Sequence, residues 1–323
     1  MMIKNMSIMS VILLLMHFAS PAIGQSFVFR VLANKGDNKL RRSSGDLQKL
    51  KTGTFLNKGD QLITSTDAYI GLVHKSGKTL EIRKKGTLGV EELEKQVDAK
   101  TTSVTGRYME YVMSRLGDNG VSDNFRKNSN VVGAAVRGNE ANGIELLLPV
   151  IEEKRITSYE ENIILRWIPQ EGMDSLLEGK TFVVTGTNLM GDTLLTQEVT
   201  DYSISFDLSE LDEDFDMLLV NVVTKEEDGG KLNSVLYSIS PAGMEALADE
   251  VTDELTNLKT ELDLSRGVDR LMLAAFYEQN GMILEAIRQY ELVMQEHPEV
   301  SDYREFYQEF LSKNQMLNLP EDN

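Results

Sequence analysis

The chain has 323 residues, 41% of them hydrophobic, and a formal net charge of −18 at pH 7. This length is enough for two or three domains. The absence of cysteine excludes disulfides, thiolate metal sites and cysteine nucleophiles. Charge is unevenly divided, with 20 Lys and Arg against 14 Asp and Glu over residues 25–150, and 12 against 37 over residues 151–323. Residues 25–150 are therefore basic although the whole chain is acidic. The negative net charge of the whole chain disfavours nucleic-acid binding.

The N-terminal 24 residues have the order of a secretory signal peptide. Lys4 is followed by an apolar run centred on residues 11–16, and small residues then lead to Gly24. This pattern predicts export with cleavage after Gly24. The alternative is an uncleaved anchor, since no charge occurs between Lys4 and Arg30. The apolar run is short for a bilayer, which favours cleavage and leaves no stable transmembrane segment.

Residues 52–91 alternate polar and apolar side chains, with turn residues between the alternating runs. A period of two is typical of half-buried strands. This stretch resembles the FecR domain at Gly53, Leu56, Gly59, Asp60, residues 62–64 and 70–73, Gly77, Leu80 and Ile82. The later Val136-Arg137-Gly138 is similar to an element found late in that family, although Asn139 and Glu140 replace its usual continuation.

The resemblance implies a FecR-like β-domain over residues 25–148, in which Gly53, Gly59, Asp60, Gly77, Arg137 and Gly138 have structural roles. It also implies ligand sensing or attachment in the periplasm, or at the cell surface, of a bacterium with a Gram-negative type of envelope. Regulators of this family begin with a cytoplasmic segment and a membrane span. Here a predicted signal peptide precedes the domain, so direct signalling across a membrane is not expected.

A basic cluster lies within this predicted domain and comprises Lys39, Arg41, Arg42, Lys49 and Lys51. A cluster of this kind would contact the phosphate or carboxylate groups of an anionic envelope polymer. The alternative is a set of solvated loop charges with no ligand. The pattern alone leaves both interpretations open.

The period changes after residue 91. Tyr108, Tyr111, Val112 and Leu116 fall at helical spacing and predict an amphipathic helix over residues 103–116. Residues 117–130 are polar and predict a loop.

A second β-unit is predicted over residues 149–240. Its strand candidates are residues 162–167, 181–185, 193–199, 202–208, 217–224 and 234–239. Short alternating segments at this spacing indicate a β-sandwich, with residues 228–230 as a hairpin turn. Trp167, the single tryptophan, resembles the core Trp of fibronectin-III and immunoglobulin-like modules.

The remaining residues, 241–323, predict a helical domain. Apolar residues step by three or four from Met244 to Leu262 and predict one helix. Residues 267–300 resemble one tetratricopeptide repeat (TPR), with Leu273, Ala274, Tyr277, Gly281, Ala286, Tyr290 and Pro298 at its signature positions. An isolated repeat cannot bury both of its faces, so the flanking helices are expected to cap it. The predicted fold class is thus mainly β with a C-terminal α segment.

No catalytic, metal or cofactor pattern stands out, so we expect a protein that is not an enzyme and has no cofactor. His74 and His297 lack neighbours at metal-ligand spacing. Asp212, Asp214 and Asp216 imitate the start of a calcium loop, but the required Gly and Glu are absent. The expected function is an exported binding or scaffold protein. The alternatives are an envelope glycan-binding protein that uses the basic domain and an unrecognised carboxylate-dependent hydrolase.

A protein partner is expected at the helical repeat. Arg270, Phe276 and Tyr277 lie on its first helix, and an Arg beside aromatic residues is typical of interface hot spots. The alternative is that the aromatic residues are core, above all Tyr277 at its consensus position. The charge division also allows the acidic end of one copy to meet the basic end of another. We favour a different protein as the partner.

Overall fold

The computed structural model describes residues 27–97, 103–115, 143–149, 155–170, 172–211, 215–225 and 232–316. The predicted signal peptide, Arg137, Gly138 and the predicted hairpin turn at 228–230 lie outside these residues. The chain comprises strands in several sheets followed by a C-terminal helical segment, as predicted.

The first unit contains two four-stranded antiparallel sheets, in the orders β4-β1-β6-β7 and β3-β2-β5-β8. Its strands are β1 (Phe29–Lys35), β2 (Lys39–Arg41), β3 (Leu47–Lys49), β4 (Phe55–Leu56), β5 (Gln61–Thr64), β6 (Tyr69–His74), β7 (Thr79–Ile82) and β8 (Gly86–Gly89). A short helix, α1 (Val90–Glu94), follows. Inward-facing side chains from both sheets form one core with Leu40, Leu62, Ile70 and Leu72.

Asp60 has a structural role in this unit. Its buried carboxylate accepts hydrogen bonds from the backbone N–H groups of Ser43 (3.1 Å) and Asn57 (3.0 Å), and it pairs with Arg42 at 2.8 Å. Gly59 precedes it with φ +82°, a conformation that side-chain-bearing residues rarely adopt. The Gly-Asp pair thus ties together two turns of the first unit.

Helix α2 (Ser103–Ser114) confirms the helix predicted over residues 103–116 and ends two residues earlier. The second unit follows, with strands β9 (Ile144–Leu146), β10 (Arg155–Ser158), β11 (Asn162–Pro169), β12 (Phe182–Thr187), β13 (Thr193–Val199), β14 (Ser203–Asp207), β15 (Leu218–Thr224) and β16 (Tyr237–Pro241) and a short helix α3 (Asp174–Leu177). They form a five-stranded sheet, β10-β16-β15-β12-β13, and a three-stranded sheet, β14-β11-β9. Trp167 on β11 is fully buried, and its ring centroid lies 5.3 Å from that of Phe182 on the other sheet.

The C-terminal segment contains α4 (Asp249–Glu261), α5 (Gly267–Gln279), α6 (Ile283–Glu296) and α7 (Ser301–Lys313). The single helix predicted from residue 244 to 262 is instead a 3₁₀ turn, Met244–Ala246, followed by α4. Leu247 and Ala248 are extended, and Asp249 and Glu250 occupy the first turn of α4, where carboxylates favour the positive end of the helix dipole. Among the described residues, no helix combines the length and apolar character needed to cross a membrane.

Candidate functional site

The three residues expected to bind a protein partner instead contact other residues of the same chain. Phe276 is fully buried, with its ring centroid 5.2 Å from that of Tyr108 on α2. Tyr277 is also fully buried, and its hydroxyl donates to Glu160 Oε1 at 2.6 Å. Arg270 holds Glu296 through two hydrogen bonds of 2.6 and 2.7 Å. Phe276 and Tyr277 therefore present no surface to a partner, because neighbouring elements of the chain cover α5.

The remaining repeat positions are also internal. Leu273, Ala274, Ala286 and Tyr290 are buried, and Gly281 has φ +71° in the turn between α5 and α6. Alanines at these places let the two helices approach closely.

Arg115 joins helix α2 to the C-terminal helices. Its guanidinium is only 6% exposed and pairs with Glu278 at 3.0 Å and Glu309 at 2.9 Å. It also donates to the hydroxyl of Tyr290 and to the carbonyl of Phe306, both at 2.8 Å. A charge this deeply buried is tolerated only when it is paired and hydrogen-bonded. This network therefore specifies how α2 seats on α5, α6 and α7.

Arg166 on β11 joins the second unit to α6. Its Nε donates to Glu291 Oε1 at 2.8 Å, and its Nη2 donates to Oε2 at 2.6 Å. Glu291 is fully buried. A bidentate pair of this geometry is the strongest ordinary form of ion pair.

Two further glutamates fix the turn between β10 and β11 against the helices. Glu285 on α6 accepts hydrogen bonds from the backbone N–H groups of Tyr159 (2.6 Å) and Glu160 (3.1 Å), and burial raises its pKa. Glu160 pairs with Lys259 at 2.6 Å and Arg288 at 3.1 Å. Burial opposes ionisation of Glu160, but the hydrogen bonds from Lys259 and Tyr277 and the charges of Lys259 and Arg288 together outweigh it and lower the pKa of that carboxyl.

The first unit is held to the helices by two aspartates, the buried Asp269 and the half-buried Asp302. Asp302 on α7 accepts hydrogen bonds from Asn34 N–H (2.7 Å) and Thr52 Oγ1 (2.8 Å), and Asp269 on α5 accepts one from Thr79 Oγ1. Burial raises the pKa of both carboxyls. We call this set of contacts around α5, α6 and α7, centred on Arg115, Arg166, Asp269, Glu285, Glu291 and Asp302, the helical junction.

Sequence reasoning did not single out any of the charged residues of the helical junction. One signal was present, because α5 is apolar on nearly every face, as in residues 271–277, which read LMLAAFY. A helix that is apolar all round is surrounded by protein rather than exposed on one side. That pattern predicts covered helices without identifying what covers them.

The two described histidines lie in local structural contacts. His74 Nδ1 is 2.7 Å from the Ser76 hydroxyl, its Nε2 is 3.8 Å from Glu94, and burial lowers its pKa. His297 Nδ1 lies 3.4 Å from Arg83, and burial lowers its pKa too. In the part of the chain that the structure describes, no three His, Asp or Glu side chains are placed to hold one metal ion.

Two clefts flank the turn between β10 and β11. One, of about 660 Å³, is lined by residues that include Glu161, Phe215 and Glu245. The other, of about 460 Å³, is lined by residues that include Arg155 and Lys313. Neither cleft is lined by a histidine.

The basic cluster divides into two parts. Arg42 is committed to Asp60 and to the carbonyl of Phe55, so it is structural. Lys39, Arg41 and Lys49 are exposed on the hairpin formed by β2 and β3, and Lys51 is exposed two residues beyond it. In the strand register Lys39 lies opposite Lys49, and Arg41 lies opposite Leu47. We call the surface formed by Lys39, Arg41, Leu47 and Lys49 the basic face.

Comparison with known proteins gives no family assignment. No family model matches the chain, and no curated protein matches it. Among solved structures, the chain is similar to one described as titin kinase and its flanking domains, at 12% identity and a TM-score of 0.21. The match covers 39% of this chain and 20% of that one, and a likeness at this TM-score carries no argument about fold or function.

Proposed function

We propose that this protein is an exported, non-enzymatic binding and scaffold protein of the bacterial envelope. The observation that carries the proposal is the helical junction, in which acidic side chains from α5, α6 and α7 engage both β-units. Such contacts fix the relative orientation of two β-units, which is the property that a scaffold requires. Export rests on the order of residues in the N-terminal 24 positions.

The finer architecture belongs to the same proposal. We interpret the first unit as FecR-like, the second as an immunoglobulin-like β-sandwich, and α5 with α6 as a TPR-like helix pair. The contact between Trp167 and Phe182 across two sheets supports the sandwich. The buried Ala274 and Ala286, with Gly281 in the turn, support the helix pair.

This proposal changes where a partner would bind. A free TPR-like pair exposes its inner helix face to other proteins, whereas here helix α2 and the chain's own β-units cover α5. A protein partner of the helical segment would therefore use the outer face of α4, where Asp249, Glu250 and Asp253 are exposed. Within the described residues, the outer surfaces of the β-units are further surfaces that no other element covers.

Fractionation of cells that express the full chain tests the proposed class. We expect mature protein that begins near Gln25, recovered with the envelope, and mass spectrometry of the purified band identifies its N-terminus. Full-length protein in the cytosol would contradict export. Shortening of a glycan by the purified protein, abolished by a Glu-to-Gln substitution, would contradict the non-enzymatic assignment and favour the hydrolase alternative.

A further inference from the structure

The cations of the basic face lack the close carboxylate partners that several other cations of the first unit have. Lys58 and Lys75 pair with Glu94, and Arg42 pairs with Asp60. By contrast, Lys49 has no acidic partner among the described residues, and Arg41 donates only to the neutral amide of Gln61, at 3.3 Å. Lys39 has one weak neighbour, the exposed Asp37 at 3.8 Å.

The register concentrates these charges on one side of the sheet. Lys39 and Lys49 lie directly opposite each other, where side chains are about 5 Å apart at Cβ and like charges repel. Arg41 lies two residues along β2 on the same face, about 7 Å away, because successive side chains alternate between faces. Leu40, between them, points into the core and is fully buried. The fold therefore holds three cations in a fixed array at a cost in repulsion.

Protection of a sheet edge explains only part of this array. Lysines on edge strands discourage pairing between molecules, and β3 is the edge strand of its sheet. Lys39 and Arg41, however, lie on β2, which is paired on both sides by β3 and β5. Cations at those positions do not protect an edge, so a bound anion accounts for them better.

We propose that the basic face binds a linear carboxylated polysaccharide through Lys39, Arg41 and Lys49. Lysines are depleted from protein–protein interfaces, and the basic face has no aromatic anchor, so an acidic protein is a poorer fit. It also has no aromatic platform for nucleobases. Closely spaced cations on flexible side chains, anchored at fixed strand positions, suit an acidic group repeated along a chain, and Leu47, 56% exposed, offers an apolar contact to a sugar ring.

The test is binding of polygalacturonate to the purified mature chain, with dextran as the neutral polymer. The variant Lys39→Gln/Arg41→Gln/Lys49→Gln removes the array. A matched variant, Lys58→Gln/Lys75→Gln/Lys225→Gln, removes the same charge from cations that pair with Glu94 and Glu198. All six positions are on the surface, and melting curves monitored by circular dichroism check that both variants remain folded.

We expect binding to polygalacturonate at low salt, none to dextran, and steep weakening as salt is raised. The array variant should bind about tenfold more weakly, whereas the matched variant should stay within about twofold of the parent. Equal binding by the array variant and the parent, or no binding by the parent at low salt, would overturn the proposal. Tighter binding to poly-glutamate or to single-stranded DNA would overturn it in favour of an acidic protein or a nucleic acid.

This inference rests on the proposed function only for the compartment in which the polymer is met. An exported protein that fails to bind polygalacturonate refutes the basic face as a polymer site and leaves the scaffold class standing. A cytosolic protein that binds it refutes export and leaves the site standing.

Discussion

Glu291→Ala is the substitution that we expect to damage the helical junction most clearly. It removes both acceptors of the bidentate pair with Arg166, at 2.8 and 2.6 Å. The guanidinium is then left without a partner at a place where its side chain is only 25% exposed. An unpaired charge of this kind is strongly destabilising.

The magnitude follows from burial. Removing one partner of a fully buried pair costs about 3–5 kcal/mol, and the partial access of water to Arg166 reduces this to about 2–3 kcal/mol. Unfolding entropy scales with chain length, so in a chain of this size the loss corresponds to a melting temperature lower by about 4 °C.

The assay uses Trp167, the single tryptophan of the chain, which is fully buried beside Arg166. Its fluorescence reports the second β-unit, and circular dichroism reports the helices. Glu198→Ala is the matched control, because its pair with Lys225 is about half exposed on both sides and its loss should cost less than about 1 kcal/mol. If Glu291→Ala melts no lower than Glu198→Ala, the pair is not part of the helical junction as described.

Four further outcomes are expected. A Cβ at Gly71 would clash with Val268 Cγ2, so Gly71→Ala should lower the free energy of unfolding by about 1–3 kcal/mol. Adding Val268→Ala should restore part of the lost stability in thermal melts. An unchanged melting temperature in Gly71→Ala would show that α5 does not lie against β6. Burial raises the pKa of Asp302, so this group's contribution to stability is fully present below the unfolded value of 3.8 and is lost as pH rises through the folded pKa. Parent stability should accordingly improve relative to Asp302→Asn as pH falls from neutral to below 3.8, and the same difference in melting temperature between the two proteins at both of these pH values would contradict this. Residues 249–316 expressed alone should not melt cooperatively by circular dichroism, because the β-units cover their apolar faces; a sharp transition would show an independent helical domain. Sedimentation should give a monomer at both low and high salt, whereas a dimer lost at high salt would indicate docking of acidic and basic ends.

Local pattern was enough to predict most elements of the fold. Period-two alternation predicts the strands observed as β5, β6 and β7, the step of three or four residues predicts α2 and α4, and the resemblance to a repeat predicts the helices α5 and α6. These signals are local because they depend on which face of one element is apolar. The strand predicted at residues 234–239 was displaced to Tyr237–Pro241, since element ends depend on pairing partners as well as on composition.

The helical junction was not predictable by the same reasoning. The sequence predicts Phe276 as a candidate partner contact, because its helix position is less constrained than that of Tyr277. In the structure the ring centroids of Tyr108 and Phe276 are 5.2 Å apart. This contact depends on packing between distant parts of the chain, which no local periodicity encodes. Glu285 and Glu291 likewise resembled ordinary surface charges of an acidic segment, and only the tertiary fold brings their partners to them.

The basic face was predictable only in part. The sequence shows the cluster of cations, but it does not show which of them are exposed and which are paired inside the fold. Strand register separates Arg42, which is held by Asp60, from the exposed array of Lys39, Arg41 and Lys49. A one-residue change in that register would move Leu40 to the surface and the cations to the core.

The central claim, that the helical segment holds the two β-units in one fixed arrangement, is tested most directly by an inter-unit distance distribution. The chain has no native cysteine, so spin labels are placed cleanly at Lys85→Cys in the first unit and Gln197→Cys in the second, both exposed. Pulsed electron paramagnetic resonance should give one narrow distance in the parent. It should give a broad distribution when Arg115→Ala and Glu291→Ala are added to a chain that circular dichroism shows to be folded. A broad distribution in the parent, or an unchanged narrow one in the variant, would contradict the account.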